Sequence, residues 1–271
     1  PVLSLSASLQ NRSQSIPMTL TSGTSVPYEM LRWQERKIKL GISIPLNLSR
    51  GVYRTKLQMA SSIAHVDIGS SAQQDIINGT IYPLQYRFSF SNSRQSSPNY
   101  IKAPHGQQGY LYYSHTLNGS SRIGSQFAAG LTLYFPGLLR NSSISIAASF
   151  DRQEPGGYIF SRAFNFSRGY ENRFYKQISK YSVNYSVPVI YPDLALGDWV
   201  YIRRVAVNLF YDDLLGKSDE FRNAYRSLGL EFYFDISVFN IPFNFELGPR
   251  FSYRFMDRKI RVDFIALNLF F

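Results

Sequence analysis

Apolar and polar residues alternate one by one along most of the chain. In segment 181–191 the odd positions carry Tyr or Val, whereas positions 182, 184 and 186 carry Ser or Asn. Segment 226–239 repeats this, with Leu, Phe, Ile and Val at the even positions from 228 to 238 against mostly Gly, Glu, Asp and Ser. Successive side chains of a strand point to opposite faces, so this period predicts strands with one apolar and one polar face.

The alternation recurs about every twenty residues and predicts an antiparallel all-β fold. Each predicted strand is long enough to cross a bilayer when tilted, and their number is even. The twelve predicted strands are 2–9, 36–49, 53–67, 83–92, 109–117, 127–135, 143–151, 181–191, 199–212, 226–239, 243–255 and 259–271.

The composition of the two faces favours a transmembrane β-barrel over a soluble β-sandwich or a soluble barrel. Soluble sheets carry Lys, Glu and Thr on the exposed face, and small or charged residues fill a core poorly. A Lys or Arg at mid-bilayer costs roughly 2–4 kcal/mol, so the polar face must surround a lumen. The charged residues predicted to face that lumen are Arg87, Glu231, Asp235, Glu246 and Arg250.

Composition and charge further restrict the class of protein to which the chain can belong. No run of 18 apolar residues exists, which excludes a transmembrane helix, and 16% aromatic residues fit the aromatic girdles of a barrel. The absence of cysteine excludes disulfides and thiolate metal sites. The net charge of +11 fits a solvated surface, a nucleic-acid surface or contact with anionic lipid phosphates. For a barrel we expect contact with anionic lipid phosphates. The expected partners are outer-membrane lipid and lipopolysaccharide, and no nucleic acid is expected.

The chain ends on an apolar strand that stops at an aromatic residue. Ile265, Leu267, Leu269 and Phe271 are expected to face outward, with Phe271 at the membrane interface of a bacterial outer membrane. The first half of this strand has the opposite parity, since Ile260, Val262 and Phe264 are its apolar residues. A bulge near Phe264 would reconcile the two halves. Alternatively, the first half rises above the bilayer.

The connections alternate in length, apart from the long connection 96–108. Short connections are predicted at 50–51, 136–141, 192–198 and 240–242, which is typical of periplasmic turns. Both termini then lie in the periplasm. The segments predicted outside the cell, or folded back into the lumen, are 10–32, 70–80, 152–180 and 213–225.

Three short motifs resemble the outer-membrane β-barrel assembly superfamily, the BamA-like insertases and two-partner secretion transporters. They are Ser167-Arg168-Gly169-Tyr170 in the longest connection, the Val-Pro-Val-Ile-Tyr-Pro run 187–192, and Phe210-Tyr211-Asp212-Asp213. The resemblance implies that the 152–180 loop folds into the lumen and that Asp212 meets Arg168. Leu214 stands where the family has Gly, which departs from the pattern.

The resemblance extends to a connection with Pro98, Tyr100, Pro104 and Gly106, similar to the one between the eighth and ninth strands of that family. It implies that residues 1–271 are one outer-membrane barrel domain matching the last twelve of sixteen strands. It also implies outer-membrane or periplasmic assembly proteins as partners.

The residues themselves also favour a pairing of Arg168 inside the barrel. Asp212, Glu231 and Asp235 have inward parity, and a guanidinium binds a carboxylate with two parallel hydrogen bonds. The alternative is an Arg168 that contacts only solvent or lipid phosphate. We expect Arg168, Gly169 and Tyr170 to form a latch with these three carboxylates. A larger charge network in the lumen would include Glu246, Arg250 and Arg254.

Catalytic chemistry is not expected. His65, His105 and His115 lack metal-ligand spacing, and no cofactor motif is present. Outer-membrane phospholipase A is also a twelve-stranded barrel and needs a His-x-Ser pair. Here the residues two after each His are Asp67, Gln107 and Leu117. The chain is therefore predicted not to be an enzyme of that type.

Three functions remain open. The first is outer-membrane protein assembly or polypeptide translocation, the second is a barrel that anchors a periplasmic domain or stabilises a complex, and the third is a solute channel. Because the sequence begins at Pro1 without a signal peptide, either a leader was removed or more protein precedes it. Polypeptide-binding repeats before Pro1 would favour the assembly function. Another kind of module there would favour an anchor, and a signal peptide alone would favour a channel.

Overall fold

The computed structural model describes most of the chain and contains strands, turns and irregular segments. The described residues are 1–17, 28–69, 79–96, 100–117, 124–154, 158–197, 199–219, 221–238 and 244–267. Within these ranges, no helix has the length and apolar character needed to cross a membrane.

In the ranges just given, fourteen strands form a single antiparallel sheet. They are β1 (Val2–Pro17), β2 (Tyr28–Asn47), β3 (Tyr53–Ile68), β4 (Gly79–Ile81), β5 (Pro83–Arg94), β6 (Gly106–Thr116), β7 (Ser125–Pro136), β8 (Ser143–Glu154), β9 (Gln177–Ile190), β10 (Leu194–Leu196), β11 (Val200–Lys217), β12 (Arg222–Val238), β13 (Asn244–Arg254) and β14 (Lys259–Leu267).

The predicted all-β antiparallel architecture is confirmed. The twelve long strands follow one another in chain order, and each pairs with its neighbours. The three-residue strands β4 and β10 were not predicted and pair with β3 and β11. The path is open, because β1 and β14 form its edges and do not pair with each other in the residues described here.

The sheet has two chemically different faces. Residues 158–176, between β8 and β9, pack against one face, which we call the inner face, and we call the other the outer face. Large apolar side chains of the outer face are open to the surroundings, and Leu131 and Leu230 are 50% and 39% exposed. On the inner face, Glu231 and Asp235 are almost fully buried.

The sheet is strongly curved. Residues from all seven long strands between β7 and β14 line one cavity of about 590 Å³ on the inner face. Seven strands in a flat sheet would span about 30 Å, which is far wider than such a cavity. The strands therefore bend around the 158–176 segment.

Two of the predicted loops are largely strand. β1 continues to Pro17 and pairs with β2 from Tyr28, so residues 10–17 and 28–32 are strand. β11 continues to Lys217 and pairs with β12 from Arg222, so most of segment 213–225 is also strand. The prediction was wrong because these strand ends lose the apolar outer face, where Asn11, Asp213 and Lys217 are polar, so the alternation seen lower in the sheet is interrupted.

The apolar part of the inner face packs against the 158–176 segment in two clusters. The cluster near the β1 edge contains Trp33, Ala64, Val66, Ile68, Ile81, Tyr158, Ile159, Phe160 and Phe174. The cluster on β9, β11 and β12 contains Tyr175, Ile178, Leu214 and Tyr225, with Phe164, Phe166, Tyr170 and Phe221 around it. Both clusters lie between the segment and the sheet, so they hold the segment against the inner face.

The last strand differs from the prediction. β14 pairs with β13 in one unbroken register from Lys259 to Leu267, so the first of the two alternatives, a bulge near Phe264, is wrong. Val262 pairs with Phe251 on the outer face, and Phe264 is 71% exposed. Ile265 is buried on the inner face opposite Gly248. A ladder without a slip keeps one parity throughout, so the first half of the strand determines the faces.

This register also corrects the prediction of which C-terminal residues face outward. Ile265 was predicted to face outward and does not. Leu267 pairs with Glu246, an inner-face position of β13, rather than with an outer-face residue. Leu269 and Phe271 lie outside the described residues.

Candidate functional site: an arginine latch on the inner face

The site combines one residue of an irregular segment with two neighbouring strands. Arg168 lies within 158–176, Asp212 on β11 and Glu231 on β12. Asn208 pairs with Glu231 across the two strands, and Asp212 follows Asn208 by four residues. Because residues four apart on a strand share a face, both carboxylates lie on the inner face. We call Arg168, Asp212 and Glu231 the arginine latch.

Arg168 binds Asp212 through both its side chain and its backbone. Its Nε and Nη2 donate to the two carboxylate oxygens of Asp212 at 2.9 and 2.7 Å. The backbone N–H of Arg168 donates to Oδ2 of the same carboxylate at 3.0 Å. The guanidinium also lies over the ring of Phe210, with 3.8 Å from its carbon to the ring centroid. This bidentate pair is the geometry that Arg prefers with carboxylates.

Glu231 joins the latch to neighbouring strands. It accepts hydrogen bonds from Arg168 Nη1 at 3.2 Å, Asn208 Nδ2 at 2.7 Å and Arg250 Nε at 2.6 Å. The hydroxyl of Tyr233 donates to the same carboxylate. Glu231 is 1% exposed, so these donors replace the water that a carboxylate otherwise needs. The network ties 158–176 to β11, β12 and β13.

The charges of the latch favour a permanently cationic Arg168. Burial alone would lower the pKa of this guanidinium, but the hydrogen bonds and negative charge of Asp212 outweigh burial and raise it. Lys180 adds a second cation, with its Nζ 3.4 Å from Asp212 Oδ2. Asp212 is fully buried, and a buried carboxylate needs a paired cation, which Arg168 and Lys180 supply.

Gly169 and Tyr170 complete the motif in different ways. Gly169 has φ of +81°, and an added Cβ would lie 2.7 Å from Ser252 Cβ, so only glycine fits without strain. The hydroxyl of Tyr170 donates to the carbonyl of Arg226 at 2.8 Å. Its ring packs edge-on against Tyr225 at 5.2 Å between centroids. Both residues hold the backbone next to Arg168 against β12 and β13.

Asp235 does not join the latch, which corrects the expectation for this residue. Its carboxylate binds Arg203, whose Nε donates at 3.0 Å, and Arg204, whose Nη2 donates at 3.2 Å. A register shift between Ile202 and Arg204 lets two consecutive arginines of β11 reach the same acid. Glu246 lies 3.7 Å from Arg204, so this group is a separate ion cluster lower on the inner face.

Two further ion pairs hold the 158–176 segment, one formed by a residue of the segment and one formed between strands that bind its backbone, and the sequence analysis missed both. Arg162 donates from Nη1 to Asp151 of β8 at 2.8 Å, and Gln126 of β7 donates to the same carboxylate at 2.7 Å. Asp151 has inward parity, so the reasoning applied to Arg168 would have found this pair.

The other pair joins the segment to the first two strands. Arg12 of β1 binds Glu35 of β2 at 2.7 Å and donates to the carbonyl of Ile159 at 2.8 Å. Trp33 donates from its indole to Glu35 at 2.7 Å. Arg12 fell in a segment predicted as loop, where no parity is assigned. The segment is thus anchored at three places across the inner face.

A second connection also reaches the inner face. Lys102, between β5 and β6, lines the same 590 Å³ cavity as Arg168 and Glu231. Burial, followed by the positive charge of Arg168, lowers the pKa of Lys102. The carbonyl of Tyr100 accepts a hydrogen bond of 3.5 Å from Arg204. Because neighbouring long strands are antiparallel, this connection lies at the opposite end of the sheet from 158–176, so the inner face is occupied from both ends.

The histidines form no common site. His115 packs against the rings of Tyr86 and Tyr113, and His65 against Tyr82. In the part of the chain that is described, no group of three His, Asp or Glu side chains is arranged to hold a metal ion.

Comparisons of the chain with known protein families and with curated proteins find no match.

Proposed function

We propose that the chain is an integral β-barrel of a bacterial outer membrane that takes part in outer-membrane protein assembly or polypeptide translocation, as BamA-like proteins do. The apolar outer face and the polar inner face support the membrane location. Only helices and closed sheets satisfy all backbone hydrogen bonds in lipid. The edges of β1 and β14 therefore pair with each other or with further strands.

The observation that carries the assembly function is the bidentate contact between Arg168 and Asp212. These are the two residues that the resemblance to BamA-like proteins implied, one on the longest connection and one on the second long strand after it. The adjacent Gly169 and Tyr170 hold the same turn in place. The contact supports the proposal because it joins distant parts of the chain at the positions of the quoted motifs.

A barrel that anchors another domain is the second candidate. Two ion pairs of 158–176 with the sheet, and the hydrogen bond from the buried Arg12–Glu35 pair to the segment, favour it, because each holds a buried charged group that would be costly to release. Such an interior suits a rigid scaffold as well as an assembly factor. An open solute channel is not proposed, since 158–176 and Lys102 occupy the inner face.

An insertion assay tests the assembly function. The purified chain is reconstituted into liposomes of phosphatidylethanolamine and phosphatidylglycerol, and a small outer-membrane barrel unfolded in urea is added. We expect the added barrel to fold several times faster than in empty liposomes, because an assembly factor lowers the barrier to insertion. The measurement is the fraction of added barrel that migrates as folded protein on a gel without heating.

Arg168→Ala and Arg226→Ala serve as a matched pair of variants in this assay. Arg226 pairs with Asp213, next to the latch, but its side chain is 57% exposed. We expect Arg168→Ala to lose the acceleration and Arg226→Ala to keep it. Folding at the rate of empty liposomes with the unchanged chain would refute the assembly function and leave the anchor.

A further inference from the structure

A second cavity of about 600 Å³ lies on the inner face, away from the arginine latch. It is lined by residues of β1, β2, β3, β5 and β6 and by residues 161–163. Its cations are Lys37 and Lys39 of β2, Arg87 of β5, and Arg162. Among the described residues that line it, there is no Asp or Glu.

Three of these cations have no carboxylate partner in the described part of the chain. Arg162 is neutralised by Asp151, but Lys37, Lys39 and Arg87 form no salt bridge there. Lys37 and Lys39 repel each other along one face of β2, and Arg87 repels Lys39 from β5. The cavity therefore concentrates positive charge instead of balancing it.

The nearest carboxylates are already engaged. Glu35, two residues before Lys37 on the same face, accepts hydrogen bonds from Arg12 and Trp33. Asp151 accepts hydrogen bonds from Arg162 and Gln126. Elsewhere on the inner face, Arg168, Arg204 and Arg250 each bind an acid. Lys37, Lys39 and Arg87 thus lie together in one cavity without an acid partner among the described residues, which points to a negatively charged ligand.

The remaining lining suits a phosphate-bearing ligand. Hydroxyl groups of Ser43, Ser62 and Ser89 and side-chain amides of Gln58 and Gln85 line the cavity. Arg and Lys are the side chains that bind phosphate most strongly, and hydroxyls and amides add hydrogen bonds. Small-molecule sites in proteins commonly have volumes of about 300–1,000 Å³, so a phosphorylated sugar would fit.

We propose that this cavity binds an anion carrying two or more phosphate charges, with Lys39 and Arg87 as its main ligands and Lys37 beside them. The ligand is either a free phosphorylated compound or the phosphorylated headgroup of a glycolipid, since both present the same chemistry. The site requires only the inner face and stands whether or not the chain assists assembly.

Calorimetric titration of the whole chain in nonionic detergent micelles, with inorganic pyrophosphate as the probe, tests the proposal. We expect saturable binding that weakens about tenfold or more in Lys39→Gln and in Arg87→Gln, a loss that is typical of one charged hydrogen bond. Lys217→Gln removes the same charge from an exposed position on β11 and should leave binding unchanged.

A thermal unfolding measurement separates a binding role from a structural one. Without anion, Lys39→Gln should melt no lower than the unchanged chain, because the substitution removes repulsion. Pyrophosphate should raise the melting temperature of the unchanged chain and not that of Lys39→Gln.

The source of the ligand is identified by repeating the titration in micelles that contain a diphosphorylated glycolipid. Loss of pyrophosphate binding in the glycolipid micelles would show that the site binds a lipid headgroup. Unchanged pyrophosphate binding in these micelles would show that it binds a soluble anion. Absence of saturable pyrophosphate binding, or equal weakening by Lys217→Gln, would overturn the proposal. A lower melting temperature of Lys39→Gln without anion would also overturn it.

Discussion

Replacing Arg168 with alanine is expected to lower the free energy of unfolding by about 3–5 kcal/mol, the range found when one partner of a buried ion pair is removed. The substitution leaves Asp212, which is fully buried, with Lys180 as its one nearby cation among the residues that the structure describes. It also removes one of the donors to Glu231. The measurement is a urea titration in detergent micelles, followed by the fluorescence of Trp33 and Trp199.

Two variants show whether this loss comes from the buried geometry. Arg226→Ala breaks an exposed pair with Asp213 and should cost no more than about 1 kcal/mol. Arg168→Lys keeps the charge but not the two parallel hydrogen bonds to Asp212, so its stability should fall between those of the unchanged chain and Arg168→Ala. If Arg168→Ala costs no more than Arg226→Ala, the latch does not hold the fold.

Gly169→Ala is expected to destabilise the protein by about 2–5 kcal/mol, because strain in the backbone and overpacking each cost roughly 1–3 kcal/mol. The residue has φ of +81°, and the new Cβ would lie 2.7 Å from Ser252 Cβ. Ser252 is itself fully buried and cannot move into open space. The same urea titration measures the effect.

Two comparisons divide this effect into its causes. Gly51 has φ of +59°, and a Cβ there would meet no atom within 4 Å, so Gly51→Ala should show the backbone strain alone. Adding Ser252→Gly to Gly169→Ala should recover the part caused by the steric contact. Equal stability of Gly169→Ala and Gly51→Ala would mean that the contact with Ser252 contributes nothing.

The alternation in the sequence located the twelve long strands because each has one apolar face through its middle. β9 illustrates this, since Tyr181 and Val183 are exposed on the outer face and Ser182 and Ser186 are buried on the inner face. The ends of the strands were harder to predict. Leu214 and Tyr225 are apolar residues on the inner face, where they pack against 158–176. When the apolar residues move from one face to the other within a strand, the alternation is lost and the sequence resembles that of a loop.

The approach of Arg168 to Asp212 and Glu231 could be predicted, because parity places both acids on one face. The different role of Asp235 could not, since it depends on the register shift that brings Arg203 and Arg204 to the same acid. The parity of the last strand depends on its pairing with β13, which the sequence of one strand does not determine.

Site-directed spin labelling on β7 tests most directly whether the outer face contacts lipid. Because the chain has no cysteine, single cysteines at positions 131, 132 and 133 can each carry one label without background. In lipid bilayers, labels replacing Leu131 and Leu133 should collide with dissolved oxygen, as hydrocarbon-exposed sites do. A label replacing Thr132, on the inner face, should be shielded from it. If all three labels show equal oxygen collision and the chain stays in solution without detergent, the outer face does not contact a membrane.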